Sequence, residues 1–585
     1  MCGICGELRF DGTSPSLDVL SKMMTSLARR GPDDSGHFIK ENIGLGHRRL
    51  SVIDLSNHAH QPMLEQNLAL VFNGTIYNYP SLQRELTSLG HIFQSNSDTE
   101  IILKAYKQWG ENCVTHLQGM FAFAIWDGNK LFLARDRLGI KPLYFSQTPH
   151  RLRFSSTLPA LLATGDIDTN IDPVALHHHL TLHAVVPAPY TILQGVRKVA
   201  PGTTLTFSLQ QQQAPTPKRY WKLHPQHHDY TSKQWVEATR TTLQTAVDSH
   251  LHVADVPVGV LLSGGLDSSL LVGLLANNVE NLLTFSIGFE DVPEEQGSEF
   301  KYSDQVVARY NTNHHRYTIP NDQVLTRLPE AIAAMSEPMV GQDAVAFYLL
   351  AEIVSKVVKV VQSGQGADEA FAGYFWYPLM QAAQGTNLER FQPYYFDRSH
   401  AEFLQTVHSD YHGENYTSQT IEGLLSADKE GAFLDKVLRL DTTTLIVDDP
   451  VKRVDNMTMA WGLEARVPFL DHNLIELAAS IPADLKLQEN GKYPLKAIAR
   501  DLLPNSVIDR PKGYFPMPAL KYVRGPFLEF MREVLNSSVC RQRQLFQRSY
   551  VDKLLTKPEQ YMTPLQGSKL WHLALLEKWL QVHGL

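Results

Sequence analysis

Three short stretches of the chain carry residue types and spacings that can do chemistry. Cys2 follows the initiator methionine. With Met1 removed, its thiol stands beside its own α-amine, whose pKa lies near 8, and such an amine can act as base for its own side-chain nucleophile. The stretch SGGLDSS (263–269) follows an apolar run and opens a helical one. Its glycines let helix-start amides approach an anion, and Ser263, Ser268 and Ser269 add hydroxyl donors. No G-x4-G-K-S/T pattern is present here, so this is not a Walker A loop. Asp267 inside the turn would repel a bare phosphate, which calls for Mg2+ between the carboxylate and the phosphates. A second glycine turn, SGQGADE (363–369), also follows an apolar run.

The elements that must position these residues differ between the two parts of the chain. Up to about residue 207 short β-type runs recur at 68–74, 119–127, 130–136 and 151–156, with helical stretches at about 15–29, 80–90 and 98–110. The glutamine run and prolines of 207–221 read as an exposed linker or hairpin tip. From about 230 onward strand and helix alternate: 256–265, 268–278, 281–289 and 355–366. That alternation predicts a parallel sheet with crossover helices. Ligands gather outside the carboxyl ends of such strands, so Asp267 and Asp368 are expected to face each other across one Mg2+–ATP site.

Composition narrows the class. At 585 residues the chain is long enough for two to four domains of about 150 residues. Its 43% apolar and 19% charged content is that of an ordinary globular protein. The formal charge of −8 with no long basic block argues against a nucleic-acid partner. Four cysteines (Cys2, Cys5, Cys113, Cys540) are too few for a disulfide scaffold and point to a reducing compartment. No apolar run of about 18 residues predicts a membrane span, and the first residues show no export signal. The expected protein is cytoplasmic.

Several motifs together carry a family resemblance. MCGICGELRFDG, RRGPDDSG (29–36), GHRRLSVIDLS (46–56), FNGTIYNY (72–79), SDTEIIL (97–103) and GMFAFAIWD (119–127) resemble the class II glutamine amidotransferases, which are amino-terminal-nucleophile hydrolases. The resemblance implies an α+β glutaminase domain, an αββα sandwich, over 1–210. Cys2 would attack the glutamine side-chain amide, with Asn73 and the Gly74 amide donating to the oxyanion. Arg49 would pair the glutamine carboxylate through its planar fork, and Asp98 would hold the ammonium. Leu50, Val52 and Thr75 would complete the pocket. The family usually reads N-G-E-I-Y-N where this chain has Thr75, so the ammonium is expected to lose one carboxylate contact.

After a linker at 211–229, residues 230–585 resemble the asparagine synthetase superfamily, an α/β pyrophosphatase-loop fold with a parallel sheet. The matching stretches are SGGLDSS, SGQGADEAFAGY (363–374), DNMTMAWGLEARVPFLD (455–471), GKYPLKAIARDLLP (491–504) and DRPKGYF (509–515). Ser263, Gly264, Gly265, Asp267 and Ser268 would cradle pyrophosphate. Leu261, Ile287, Ser363 and Gly364 would line the adenosine pocket, and Asp267 and Asp368 would hold Mg2+. Lys492 matches the family's catalytic lysine, a fixed ammonium that stabilises charge as the amine displaces AMP; Lys512 would be a second cation on the acceptor side. The implied substrates are glutamine, ATP and a carboxylate acceptor. A dry passage would carry ammonia between the two sites. No nucleic acid or membrane is implied, and a homodimer is left open.

The acceptor is read from departures. Asparagine synthetases typically have glutamate where this chain has Gln365, and a glutamine takes no proton from incoming ammonia. HAVVPAP (183–189), FDRSH (396–400), FAGYFWYP (371–378) and TPLQGSKLWHLA (563–574), among others, resemble the N-acetylglutaminylglutamine amidotransferases of osmoprotectant synthesis. That subgroup implies an acetylated dipeptide acceptor, with Tyr374, Phe375, Trp376 and Tyr377 suited to its size; aspartate is the alternative. His177, His178, His179 and His183 lack an H-E-x-x-H or cysteine partner and read as a mostly solvated helix, although His179 and His183 could share one face. Asp448 and Asp449 read as caps near Pro450.

Overall fold

The computed structural model describes residues 2–210, 215–291, 296–427, 431–510 and 523–585. Lys512 and most of the motif DRPKGYF lie outside the described residues. Among the described residues of the first part there are twelve strands: β1 (Gly3–Arg9), β2 (Asp34–Lys40), β3 (Ile43–Arg49), β4 (Met63–Glu65), β5 (Leu68–Ile76), β6 (Gly119–Trp126), β7 (Lys130–Arg135), β8 (Tyr144–Gln147), β9 (Arg151–Ser155), β10 (Arg197–Lys198), β11 (Thr203–Ser208) and β12 (Lys218–Arg219). They form two antiparallel sheets, ordered β10-β8-β9-β1-β3-β2 and β12-β11-β7-β6-β5-β4.

Strand alternation explains how these sheets stack. Ile4, Leu8, Ile43 and Leu45 from one sheet pack with Ala69, Val71, Ala122, Ala124, Leu131 and Leu133 from the other. The opposite faces take helices. Phe72, Ile76, Phe121 and Phe123 meet the helices Tyr79–Ser88 and Asp98–Trp109; Cys5 meets the helix Leu17–Ser26. Successive side chains point to opposite faces, so both faces of the central strands are apolar. The result is the four-layer αββα sandwich.

The second part is built on five parallel strands, β13 (Val258–Leu261), β14 (Leu283–Phe289), β15 (Asn313–Ile319), β16 (Val360–Gln362) and β17 (Glu464–Arg466), in the order β15-β14-β13-β16-β17. The chain lays β14 and β15 on one side of β13, then crosses to lay β16 and β17 on the other. The crevice between β13 and β16 is therefore the topological switch point where ligands bind in such sheets. Both glycine turns open there.

Buried charge joins the two parts. Asp455 accepts from Arg30 at 2.9 and 3.3 Å and from Lys141 at 3.0 Å, and its carboxylate is almost wholly enclosed. Burial alone would raise its pKa, but the two cations hold it down to about 2. Lys198, at the first sheet's edge, reaches Glu337 at 2.9 Å and Asp448 at 2.8 Å. Asp448 is thus a buried ion-pair partner and not a helix cap. It lies in a π-helical segment, Val447–Val451, continuous with the helices around it, so no helix starts there to be capped. His177, His178 and His179 are also buried: the helix Pro173–Thr181 packs among later helices, with His177 on His400 (3.0 Å) and Thr417 (2.7 Å). The expected solvated face is absent because that helix is an interior connector. His183 lies beyond its end, at φ +50°, so it shares no helical face with His179.

Removing one member of a buried charge network leaves the others unpaired, at a cost of about 3–5 kcal/mol, whereas an exposed pair contributes under about 1. Asp455→Ala is expected to lower the melting temperature of the full chain far more than Lys359→Ala, which removes the exposed 2.7 Å bridge to Asp33. Equal shifts, read by calorimetry, would show that Asp455 does not hold the halves together.

Candidate active site

The first site forms around β1 and β5. The Cys2 backbone nitrogen donates to Asn73 Oδ1 at 3.0 Å, and the Cys2 Sγ lies 4.0 Å from the Leu50 carbonyl. Asn73 is fully buried, and its Nδ2 has no protein partner. An unused amide donor beside a nucleophile is what an oxyanion hole requires. β4 pairs only with Leu68–Leu70, leaving the Asn73–Ile76 edge of β5 uncovered by that neighbour. Only glycine fits at position 74, since a Cβ there would stand 2.1 Å from the Met120 carbonyl oxygen. Burial pushes the Cys2 thiol above its usual range, while the Arg49 charge works the other way. The thiol therefore stays protonated until a base takes its proton, consistent with activation by an adjacent amine.

Arg49, at the end of β3, is buried and bonded to backbone carbonyls: Ser56 at 3.1 Å, Ile53 at 3.5 Å, and Asp54. It is not half of a surface ion pair. Val52 lies beside it, its carbonyl accepting from Asp255 of the second part at 2.8 Å. Asp98, in the first turn of its helix, accepts from the Ile76 amide at 3.1 Å. Burial, reinforced by the nearby Glu464 charge, raises its pKa to about 7.

Thr75 does not leave this edge without a carboxylate. Its hydroxyl donates to Glu464 Oε1 at 3.1 Å, and Arg466 Nε holds the same oxygen at 2.6 Å. Burial opposes ionisation of Glu464, yet neighbouring cations, Arg466 among them, hold its pKa to about 2. Glu464 belongs to β17, far along the chain. Glu464 falls within the stretch DNMTMAWGLEARVPFLD, where pattern alone assigns it no role; the signal was a glutamate missing at position 75 and another present in LEAR (463–466).

The second site lies at the switch point. Ser263 and Ser268 close the first turn: the Ser263 amide donates to Ser268 Oγ at 3.1 Å, and the two hydroxyls lie 3.0 Å apart. Gly264 takes φ +78°, and a Cβ there would stand 2.7 Å from the Ser303 nitrogen. Gly265 precedes the helix Leu266–Leu275 and lines the crevice together with Leu266, Asp267 and Ser268. Ser363 continues β16 and donates to the Arg466 carbonyl at 2.8 Å. Gly364 packs against Asp267, where a Cβ would come within 3.0 Å. Lys492 stands between the two aspartates, at 2.7 Å from Asp267 and 2.8 Å from Asp368. It is buried and takes a left-handed backbone at φ +58° to start the helix Tyr493–Ala499. Its pKa is raised because the two carboxylates outweigh the burial that opposes charge. Two carboxylates converging on one cation are a suitable hard-oxygen donor set for Mg2+.

Leu261, Ser263, Gly265, Asp267, Ser268, Ile287, Ser363, Gly364, Gln365, Asp368 and Lys492 all line one chamber of about 1790 Å³. Tyr374, Phe375 and Trp376 line it as well, the first and third stacked at 4.3 Å. Tyr377 does not: it is fully buried and donates to Asp441 at 2.5 Å. Asp449 lines the chamber and pairs with Arg453.

Comparison with known proteins agrees with this two-part fold. Residues 238–581 match the asparagine synthase family and residues 1–221 match a glutamine amidotransferase domain. The chain therefore belongs to the asparagine synthase family, whose members with this pair of domains are ATP-dependent, glutamine-dependent carbon–nitrogen ligases. It is 31% identical to asparagine synthetase (glutamine-hydrolyzing) 3 of Bacillus subtilis, over 100% of this chain and 99% of that protein. It is 32% identical to a putative asparagine synthetase of Mycobacterium tuberculosis, over 88% of this chain and 86% of the other. It also matches a protein named amidase chyE of Penicillium rubens at 28% identity, over 87% of each.

The raised pKa of Asp98 sets a pH dependence. An ammonium is held by the ionised carboxylate, which is depleted as pH falls through about 7. The KM for glutamine is expected to rise as pH drops from 8 to 6, and Asp98→Asn should raise it at all pH values and flatten the profile. An unchanged profile in that variant would remove Asp98 from glutamine binding.

Proposed function

We propose that the chain hydrolyses glutamine at Cys2 and uses the ammonia to amidate a carboxylate activated as its adenylate, releasing AMP and pyrophosphate. The observation that carries this reading is the presence in one polypeptide of a buried Cys2 held by Asn73 and of the Asp267–Lys492–Asp368 cluster at the switch point. In this reading the glutaminase unit is 1–210 and the synthetase unit 230–585.

At the first site the Cys2 amine takes the thiol proton, Sγ attacks the glutamine amide carbon, and Asn73 Nδ2 with the Gly74 amide receives the oxyanion. Arg49 takes the carboxylate of glutamine and Asp98 its ammonium. At the second site the serine-lined turn and helix start receive the pyrophosphate portion of ATP. Asp267 and Asp368 would hold Mg2+, which supplies charge neutralisation at the phosphates. Lys492 stabilises charge on the leaving group. β17 links the sites: Glu464, its first residue, touches Thr75, and Arg466, its last, holds Ser363. Three strand residues span roughly 10 Å. We place the ammonia route beside this strand.

The names of the similar proteins favour aspartate as acceptor over the acetylated dipeptide. A second reading, N-acetylglutaminylglutamine and hence osmoprotectant synthesis, rests on Gln365 in place of the usual glutamate and on a chamber large enough for a dipeptide beside ATP, walled by the Tyr374–Trp376 stack. Enzyme, Mg-ATP and glutamine incubated with each acceptor should yield AMP and one amide, read by mass spectrometry. Product from aspartate alone settles for the first reading, and from the dipeptide alone for the second. Cys2→Ala is expected to abolish glutamine-dependent synthesis while free ammonia still supports it; loss of both would sink the two-site scheme.

A further inference from the structure

Three of the segments that set this chain apart in sequence, HAVVPAP, FDRSH and TPLQGSKLWHLA, converge at one point on the chamber wall without a part in the chemistry above. His183 follows the helix Pro173–Thr181, Asp397 precedes the helix His400–Thr406, and His572 sits in the C-terminal helix Lys569–Val582. His183 Nδ1 and His572 Nδ1 lie 3.2 and 3.4 Å from one oxygen, Asp397 Oδ2. One donor atom from each residue lies within 4.8 Å of the others. Asp397 and His572 are almost wholly buried, and His183 has 19% of its side chain exposed.

We propose that His183, Asp397 and His572 form a site for a divalent transition ion of the zinc type, distinct from the carboxylate pair at the phosphate end. Two lines of observation carry it. The first is spacing. Tetrahedral bonds of about 2.1 Å put adjacent donors about 3.4 Å apart, which the two nitrogen–oxygen distances match. The second is unmet polarity. Neither ring nitrogen of the buried His572 has a hydrogen-bond partner, although Nδ1 lies near a carboxylate, and Asp397 Oδ1 is unpartnered too. Buried polar atoms are rarely left so. Two imidazoles and one carboxylate are the donor set of zinc and its neighbours, not of Mg2+.

The surroundings are compatible. The adjacent Arg398 is spent on the carbonyls of Leu180 (2.9 Å) and Lys569 (3.0 Å). Asp343 and Asp449, on the same wall, both pair with Arg453. His183 and Gly567 line the chamber, which gives the ion its way in. The ion would tie three separate segments together beside the chamber that His183 lines. Ligand binding to the native state alone raises stability by mass action.

The test uses the full-length protein, stripped with chelator and titrated with Zn2+ or Co2+. Wild type is expected to bind one ion per chain, with ligand-field bands for Co2+, histidine–nitrogen ligation by X-ray absorption, and a raised melting temperature with Zn2+. His572→Gln and Asp397→Asn should each weaken binding by at least ~100-fold, the upper end of what outer-shell losses cost. Asp267→Asn should retain it. Because binding is read without turnover, the result is independent of the acceptor and of the amidation reaction. Absence of binding in a folded wild-type chain, or equal binding in His572→Gln, Asp397→Asn and wild type, would overturn the site and leave a His183–Asp397 ion pair in its place.

Discussion

The structure depends on carboxylates of one short segment, 455–466, buried where the two halves meet. Asp455 draws Arg30 and Lys141 from the glutaminase side, and Glu464 meets Thr75 at the edge of β5. Burying an ion is costly unless it is fully paired, so these contacts fix relative position more than they add stability. A shift of the halves that broke them would strand charges in an apolar interior. The arrangement thus sets where Cys2 stands relative to β17, and β17 in turn abuts the second glycine turn through Arg466 and Ser363.

The two sites use charge in different ways. At the switch point Lys492 neutralises Asp267 and Asp368, so the fold tolerates two converging carboxylates. Around Cys2 the arrangement differs: Asp98 stays near the point of protonation, and Arg49 is bonded to carbonyls, with the Asp34 and Asp54 carboxylates close enough to feel its charge.

The departures from family pattern also acquire physical content. Thr75 shortens a side chain, and the space is met by a carboxylate from the other half. Gln365 removes a proton acceptor from a chamber that remains rich in carboxylates, with Asp441, Glu369 and Asp449 on its wall. Asp441 is held by two tyrosine hydroxyls, Tyr377 and Tyr395, in a π-helical turn, Asp441–Leu445, of the kind that accompanies functional sites.

Local pattern determined much of this protein. Short apolar β-type runs marked β5, β6, β7 and β9, and glycine after an apolar run marked the turns at 263–269 and 363–369, because strand burial and tight turns impose their signatures over a few residues. The family resemblance singled out Cys2, Asn73, Arg49, Asp98 and Lys492, and the structure buries all five. Less was legible where the partner is remote. β2, β8 and β15, with mixed composition, carry weak periodicity and exist through their neighbours. The burial of His177–His179, the ion pairs of Asp448, the reach of Glu464 to Thr75 and the meeting of His183 with Asp397 and His572 were decided by tertiary structure alone. Each joins residues more than 200 positions apart, Asp448 through Lys198, and no spacing along the chain encodes a contact that only packing of whole elements brings about.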